Sequence, residues 1–522
     1  MTSSLPLKEQ AKLPVLPLIV VVIGAFMSFL DSSIVNVALP NMMSVFGVSS
    51  GDIQWVLTAY MLTSGIVIPT SAFLCERFGH RRIYIISLII FTVGSALCGI
   101  SWSLNIIIAS RIIQAIGGGL IIPVSMAMVY NLAPREKMGI SMGLWGLAAI
   151  LGPSVGPTLG GYLVDALSWE WIFFVNLPIG MVTLLLCPFY LKETTINKDI
   201  KFDMLGTIFI AVTCFSLLLA LSKGTEWGWT SQSIISLLLI FLFTLVAFVV
   251  WEGSINNPLI DIRVFKNKVV ISSLISMSLL TIGMLGVIFI IPIYAENLLG
   301  YSPLKTGIIM MPMALVSAFL MPISGKIYDK YGAFHVGIIG VLIAIITTLN
   351  LRVLSLDTSY SSLQIMLAVR SLGFGMALMP ITNAAMGAVP ECLAPTASAV
   401  LNTVRQVAGS LGIAIMNYII VEKQVYHQDV LHDLINYGSF TACQTINQLQ
   451  ALLVSMGIDS TSANIQALTI IKGLIARQGA MNSIVDSIMS LVYMLVITVP
   501  FIFFLTPKSV EGAKLHQEKQ LS

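Results

Sequence analysis

Asp31 is a carboxylic acid inside the first long apolar stretch of the chain. A charged residue in a segment that can span a bilayer costs about 3 kcal/mol on insertion scales, so it is a functional-site hypothesis by default. Asp31 shares one helical face with small or polar residues at offsets of three, four and seven: Gly24, Ser28, Val35 and Ala38. Such a face favours a bundle interior or a water-filled cavity. Asp31 is therefore predicted to bind and release a proton; a purely structural acid is the alternative.

Arg111 is the candidate partner of Asp31. At about 1.5 Å per residue, the two side chains are expected at similar depth in the fourth and first apolar helices. Burial disfavours a charged carboxylate and a neighbouring cation favours it, so an acid between these effects can gain and lose a proton. A guanidinium can also hold a carboxylate bidentately. An arginine bonded only to backbone carbonyls is the alternative.

Four further polar residues are predicted on interior helix faces. Gln114 lies one turn from Arg111 in the fourth span, and Arg370 has the equivalent position in the twelfth. Asn402 and Arg405 share one stripe of the thirteenth span. The sequence does not name a partner for Arg405.

These residues require a membrane scaffold. Of 522 residues, 57% are hydrophobic and 10% are charged, against about 25% charged in a typical soluble domain. Windows of about 20 apolar residues recur along the whole chain. The sequence thus predicts an all-α polytopic membrane protein with fourteen transmembrane helices. A net charge of +3 gives no basic surface for nucleic acid, and six scattered cysteines provide neither metal-site nor disulfide spacing.

The distribution of lysine and arginine predicts the orientation. Most of these residues fall in the even-numbered loops and the two tails. The positive-inside rule therefore places both termini in the cytoplasm and the protein in a cell membrane.

Two loops have the same order of residue types, which indicates an internal repeat. Each combines an acid, a base and a glycine, and eight spans separate the two loops. The simplest organisation is six helices, an inserted pair and six more helices, with two halves that face one another. The loop residues are Glu76, Arg77, Gly79 and Arg81 after the second span, and Gly325, Asp329, Lys330 and Gly332 after the tenth.

The predicted domains follow from this repeat. A six-helix bundle at 15–190, a helix pair at 205–251 and a six-helix bundle at 270–505 lie between a cytoplasmic tail at 1–14 and another at 506–522. An extracytoplasmic loop at 422–483 is expected to contain one or two short amphipathic helices.

The fifth span is rich in glycine and proline. This composition allows close backbone packing and a kink or hinge. The residues of the pattern are Gly143, Gly152, Gly156, Pro157, Gly160 and Gly161.

The glycine pattern matches the antiporter motif of the major facilitator superfamily. The loop at Glu76 resembles the cytoplasmic loop motif of that superfamily, and residues 111–114 resemble its fourth-span motif. Residues 30–40 and 171–180 resemble signatures of the fourteen-span drug:proton antiporters of the EmrB/QacA type. This resemblance implies the major facilitator fold, with two six-helix bundles plus an inserted helix pair.

The resemblance also implies a function. The chain is expected to be a proton-coupled multidrug efflux antiporter that exports lipophilic, often cationic compounds by alternating access, with protons as the coupling ion and no cofactor. Asp31 and Arg111 would serve proton coupling and substrate response, and Glu76, Arg77 and Arg81 would form a charge latch. The expected partners are small lipophilic substrates, the lipid bilayer and, in a cell with two membranes, a periplasmic adaptor. The transport unit is expected to be a monomer.

Other functions are open at this point. The same fold could export an endogenous metabolite, and a non-transporting membrane receptor or structural assembly subunit is a second alternative. An intramembrane enzyme is disfavoured because the sequence lacks a His-Glu-x-x-His metal motif and a Gly-x-Ser-x-Gly nucleophile turn. Spans 2, 10 and 13 lack the extra intramembrane acids that some relatives use for dicationic drugs.

Overall fold

The computed structural model describes residues 14–194, 196, 200, 202–255, 258–434 and 440–521. These residues form helices, turns and loops, without a strand among them. The predicted N-terminal tail, except its last residue, lies outside the described residues. The α-helices are α1 (Val15–Phe46), α2 (Ser50–Ile53), α3 (Trp55–Val67), α4 (Ser71–Phe78), α5 (His80–Gly99), α6 (Leu104–Leu132), α7 (Met138–Ala166), α8 (Trp171–Phe174), α9 (Asn176–Tyr190), α10 (Met204–Trp227), α11 (Gln232–Glu252), α12 (Lys268–Pro292), α13 (Pro303–Asn350), α14 (Tyr360–Gly387), α15 (Ala394–Leu434), α16 (Phe440–Ser455), α17 (Ser460–Ile502) and α18 (Pro507–Leu521). Short 3-10 helices cover Ile68–Thr70, Arg135–Lys137, Ile262–Lys266, Leu351–Val353 and Glu391–Leu393, and a π-helix covers Ile293–Leu298.

The structure contains fourteen membrane crossings. In the described part of the chain, 13 helical segments are long and apolar enough to cross a membrane. One of them, Lys305–Val353, has 49 residues, which is about 70 Å of helix against a hydrocarbon core of about 30 Å. Its helix α13 is interrupted at Gly332, where φ is 77°, a conformation that glycine adopts without steric cost. This segment therefore holds two spans, and the predicted count of fourteen is confirmed.

The segment at 422–483 differs from its prediction as a loop with short helices. Helix α15 continues to Leu434 and α17 already begins at Ser460, so both transmembrane helices extend beyond the bilayer. Among the described residues of this segment, α16 is the one separate helix, and it packs against α17. Hydropathy could not predict this, because a polar extension of a helix resembles a loop in composition.

The helices pack as two halves with a pair between them. In the first half, α1 packs against α6, α7 and α9; in the second half, α12 and α13 pack against α14 and α17. The inserted helices α10 and α11 pack on each other, and α10 contacts both α3 and α15. The pair therefore covers one seam between the halves. The exact domain boundaries stay a prediction.

The two halves are in tight contact on the side of the bundle where α1 begins and α17 ends, here called the terminal side. Gly139 of α7 and Gly325 of α13 approach so closely that a Cβ on either would collide with the backbone of the other. Asp329 accepts hydrogen bonds from the backbone N–H groups of Gly139 (2.7 Å) and Ile140 (3.3 Å). The Ser398 hydroxyl donates to the carbonyl of Pro123 in the other half (2.7 Å). The terminal side is thus closed.

The opposite side has a cleft between the halves. One face of α1 carries Ala25, Phe29, Ser32 and Asn36 at helical spacing. Ala25, nearest the terminal side, is fully buried, Phe29 is partly buried, and Ser32 and Asn36 are exposed. The space between the halves therefore widens along α1, and it opens away from the terminal side.

The glycine contact generates a test of this closed seam. Overpacking typically costs about 1–3 kcal/mol, so Gly325→Ala should lower the population of the closed state about five- to a hundredfold. Cys75, which is 2% exposed, lies where α4 meets α15. In a variant that keeps only this cysteine, in lipid nanodiscs, a maleimide should label Cys75 faster after Gly325→Ala.

The matched control for this experiment is Gly307→Ala. Gly307 is on the same helix, and its added methyl group meets no atom closer than 4.0 Å. Equal labelling rates for the two variants would contradict the closed seam.

Candidate functional site

Asp31 is fully buried and accepts hydrogen bonds from three side chains. Arg111 Nη1 donates to Asp31 Oδ2 (2.6 Å), while Gln114 Nε2 (2.7 Å) and Asn176 Nδ2 (2.9 Å) donate to Asp31 Oδ1. The predicted pair of Asp31 and Arg111 is therefore a direct ion pair between α1 and α6. Both carboxylate oxygens are used, which is the condition for a buried charge to be tolerated.

Further contacts fix the guanidinium of Arg111. Its Nη1 also donates to Gln114 Oε1 (2.7 Å), and its Nε donates to the carbonyl of Val56 (3.3 Å). The guanidinium carbon lies 4.0 Å from the ring centre of Tyr60 and 5.8 Å from that of Phe173. These cation–π contacts and the Val56 carbonyl tie Arg111 to α3 and α8 as well as to α1.

Asn176 and Ser95 are the site residues that the sequence analysis missed. Asn176 Nδ2 donates to Ser95 Oγ (3.1 Å), and Ser95 Oγ donates to the carbonyl of Phe173 (2.9 Å). Asn176 lies in the 171–180 signature, but no role was predicted for it. The sequence feature that could have predicted this role is the position of Asn176 at the start of a long apolar stretch, because a buried amide needs a polar partner.

The second half has an equivalent arginine without an acid. Arg370 is buried; its Nη2 donates to the carbonyl of Gly283 (2.5 Å), and its Nε donates to Thr348 Oγ1 (3.1 Å). The guanidinium carbon lies 4.3 Å from the ring centre of Phe374. Arg370 is thus bonded to a backbone carbonyl and a hydroxyl, and not to an acid.

Asn402 and Arg405 lie at the seam between the halves, away from Asp31. Asn402 Nδ2 donates to the Ser398 carbonyl (2.9 Å) and lies 3.2 Å from Met126 Sδ of α6. The guanidinium carbon of Arg405 lies 5.5 Å from the ring centre of Trp145, which belongs to α7 of the first half. The structure therefore brings Asp31, Arg111 and Gln114 together in one site. Asn402 and Arg405 lie at a separate location, on the seam between the halves.

The glycines of the fifth span let α7 pack between two helices. A Cβ at Gly143 would collide with the backbone of α13, and one at Gly152, Gly156 or Gly160 would collide with α1. Gly161 has only an ordinary contact with Val37, and Pro157 is exposed. The motif thus places α7 against both the helix that carries Asp31 and the second half.

The predicted loop residues have different roles in the two halves. Asp329 bonds across the seam to α7, whereas the backbone N–H of Arg81 donates to Glu193 Oε1 (3.2 Å) within the first half. Glu76 lines a cavity of about 560 Å³ at the start of α15. Lys330 is exposed, and Gly332 forms the break in α13. Arg77 and Gly79 lie beside Glu76, with Gly79 at φ 90° between α4 and α5.

Comparison with known proteins identifies the family. The family model described as Major Facilitator Superfamily matches residues 21–413. The chain is 34% identical over 457 residues to the uncharacterized MFS-type transporter YhcA of Bacillus subtilis, covering 87% of this chain and 86% of that protein. It is 30% identical over 419 residues to the multidrug export protein EmrB of Haemophilus influenzae, covering 79% and 82%.

A solved structure has the same fold. The human organic anion transporter MFSD10 (TETRAN) superimposes with a TM-score of 0.59 at 14% identity, covering 93% of this chain and 100% of that one. At this identity the likeness shows the fold alone. From the family model, the relatives and the fold together, the chain belongs to the major facilitator superfamily, and within it to the EmrB/QacA type.

Proposed function

We propose that this protein is a proton-coupled multidrug efflux antiporter of the cell membrane, which exports lipophilic compounds by alternating access. The names of its relatives, EmrB and the multidrug resistance protein B homolog of Mycobacterium tuberculosis, support multidrug export. The observation that supports proton coupling is the enclosed Asp31–Arg111 pair. A buried acid with a cationic partner can bind a proton, and the loss of the ion pair can then change how the helices pack.

The contacts of α6 suggest how proton binding changes the seam. Protonation of Asp31 leaves the charge of Arg111 without its counter-ion, and breaking a buried pair typically costs about 3–5 kcal/mol. Helix α6 carries Arg111 near one end, and near the other it contacts Ser398 and Asn402 of α15. A shift of α6 that relieves Arg111 would therefore loosen the closed terminal side.

The orientation completes the proposed cycle. We place the terminal side in the cytoplasm, because the loops and tails on that side carry most of the lysines and arginines. The cleft then opens to the outside, as in the state that releases substrate and takes up a proton. The extended ends of α15 and α17, together with α16, project on the same outer side, where a periplasmic adaptor would dock. The transport unit in this proposal is the single chain.

The first test removes the charge of Asp31. Asp31→Asn keeps the size of the side chain but cannot release a proton, so proton-driven efflux should fall at least about tenfold. Efflux of a lipophilic dye and the accompanying proton movement are measured in reconstituted vesicles with a pH gradient, together with the amount of inserted protein. Asp165→Asn removes an exposed carboxylate at the end of α7 and serves as the control. Undiminished efflux by Asp31→Asn would refute the assignment.

The second test concerns Asn176. Asn176→Ala removes one hydrogen bond to the charged carboxylate, an interaction worth about 1.5–3 kcal/mol, so coupled efflux should fall about tenfold. Asn447→Ala in α16, where the asparagine is exposed, is the matched control. If both variants transport at the wild-type rate, Asn176 is not part of the coupling site.

A further inference from the structure

The floor of the cleft is formed by Phe29 and Arg405, which are partly exposed, and the fully buried Trp145 lies beneath them. Phe29 and Trp145 make an edge-to-face contact with ring centres 5.7 Å apart. The guanidinium carbon of Arg405 lies 5.5 Å from the centre of the same Trp145 ring, so the two halves meet at this indole. Trp145 is held in place by a hydrogen bond from its Nε1 to Ser125 Oγ (2.9 Å). The floor therefore combines the partly exposed ring of Phe29 with the positive charge of Arg405, and both rest on the fixed indole of Trp145.

Arg405 lies where the closed seam ends and the cleft begins. On α15, Asn402 and Ser398, one and two turns from Arg405 toward the terminal side, are buried against α6, whereas Arg405 is partly exposed. On α1, the floor residue Phe29 lies between buried Ala25 and exposed Ser32. On both helices, the change from buried to exposed residues therefore occurs at the level of Phe29 and Arg405, which is the bottom of the open space.

Arg405 differs from the other two intramembrane arginines in its bonding. Arg111 has an acid and a carbonyl as acceptors, and Arg370 has a carbonyl and a hydroxyl. Among the residues that the structure describes, Arg405 has no hydrogen-bond acceptor and no acid within ion-pair distance; its contact is the Trp145 ring. A guanidinium at membrane depth is costly unless it is paired, so its donors are available to a ligand.

No carboxylate competes with this positive charge in the described part of the cleft. Asp31 is 0% exposed, and its two oxygens are bonded to three donors. The other acids on the described parts of α1, α3, α6, α7, α12, α13, α14 and α15 lie near helix ends, beside the break in α13 or beyond the bilayer: Asp165, Asp329, Glu422, Asp429 and Asp433. The charge that a compound meets at the floor is therefore that of Arg405.

We propose that the cleft floor is a binding site for lipophilic organic anions, whose aromatic part packs on Phe29 and whose carboxylate or sulfonate pairs with Arg405, while buried Trp145 supports both side chains from below. A guanidinium suits this ligand, because it is weakly hydrated, stacks on aromatic faces and presents a fork of donors that matches a carboxylate. Aromatic surface supplies the affinity that is independent of charge. This inference rests on the proposed function, because it assigns the substrate class of the same transporter.

In this proposal the substrate and the proton bind at two separate places. The anion binds Arg405, and the coupling acid Asp31 is enclosed in the first half by Arg111, Gln114 and Asn176. Asp31→Asn should therefore retain anion binding although it loses coupled transport. A shared acid for drug and proton, the arrangement expected for cationic substrates, would make both fall together.

The test compares two ligands of the same shape and opposite charge, a naphthalenesulfonate and naphthyltrimethylammonium. Equilibrium binding is measured by tryptophan quenching with purified protein in lipid nanodiscs. Wild-type protein should bind the sulfonate more tightly than the ammonium ligand. Arg405→Gln should weaken sulfonate binding about ten- to a hundredfold, the effect of losing one hydrogen bond to a charged group. Arg405→Lys should retain part of the preference. Arg352→Gln, at an exposed arginine outside the cleft, is the matched control.

Two outcomes would overturn the inference. One is equal or tighter binding of the ammonium ligand by the wild type, and the other is an unchanged ratio of the two affinities in Arg405→Gln. Efflux of a neutral lipophilic dye, measured in parallel, separates this failure from failure of the proposed function. If wild type and Arg405→Gln both export the dye but show no anion preference, only the substrate class is wrong; if the wild type exports no compound, the proposed function is wrong.

Discussion

The structure depends on an ion pair that has been removed from water. Asp31 and Arg111 are both buried in the first half, and the carboxylate is acceptable there only because three donors from two other helices reach it. The loss of any donor would leave part of a charge unpaired in a low-dielectric interior. This requirement fixes α1 against α6 and α9.

The two halves share one architecture, but their buried arginines have different partners. Arg111 and Arg370 lie at equivalent positions, yet one pairs with an acid and the other with a carbonyl and a hydroxyl. The buried ion pair is therefore confined to the first half. The second half contributes a charge of another kind, Arg405, which reaches over the seam to an indole of the first half.

Close backbone contact connects these sites to the closed seam between the halves. The glycines of α7 let one helix contact both the α1 helix of Asp31 and the α13 helix of the second half. Asp329 caps the start of the same helix across the seam. Because a packed interface of this kind has no room for intermediate positions, a small shift in either half favours a switch between two arrangements.

The sequence by itself determined the membrane class, the fourteen spans, the repeat and the interior position of Asp31 and Arg111. These properties are local, since the cost of a charge in a bilayer depends on the residue and its apolar neighbours. Only the tertiary structure revealed Asn176 as a donor to Asp31, Trp145 as the contact of Arg405, and the bonding of Arg81 within its own half. Each of these depends on the distance between helices that lie far apart in the chain, and hydropathy and spacing contain no such distance.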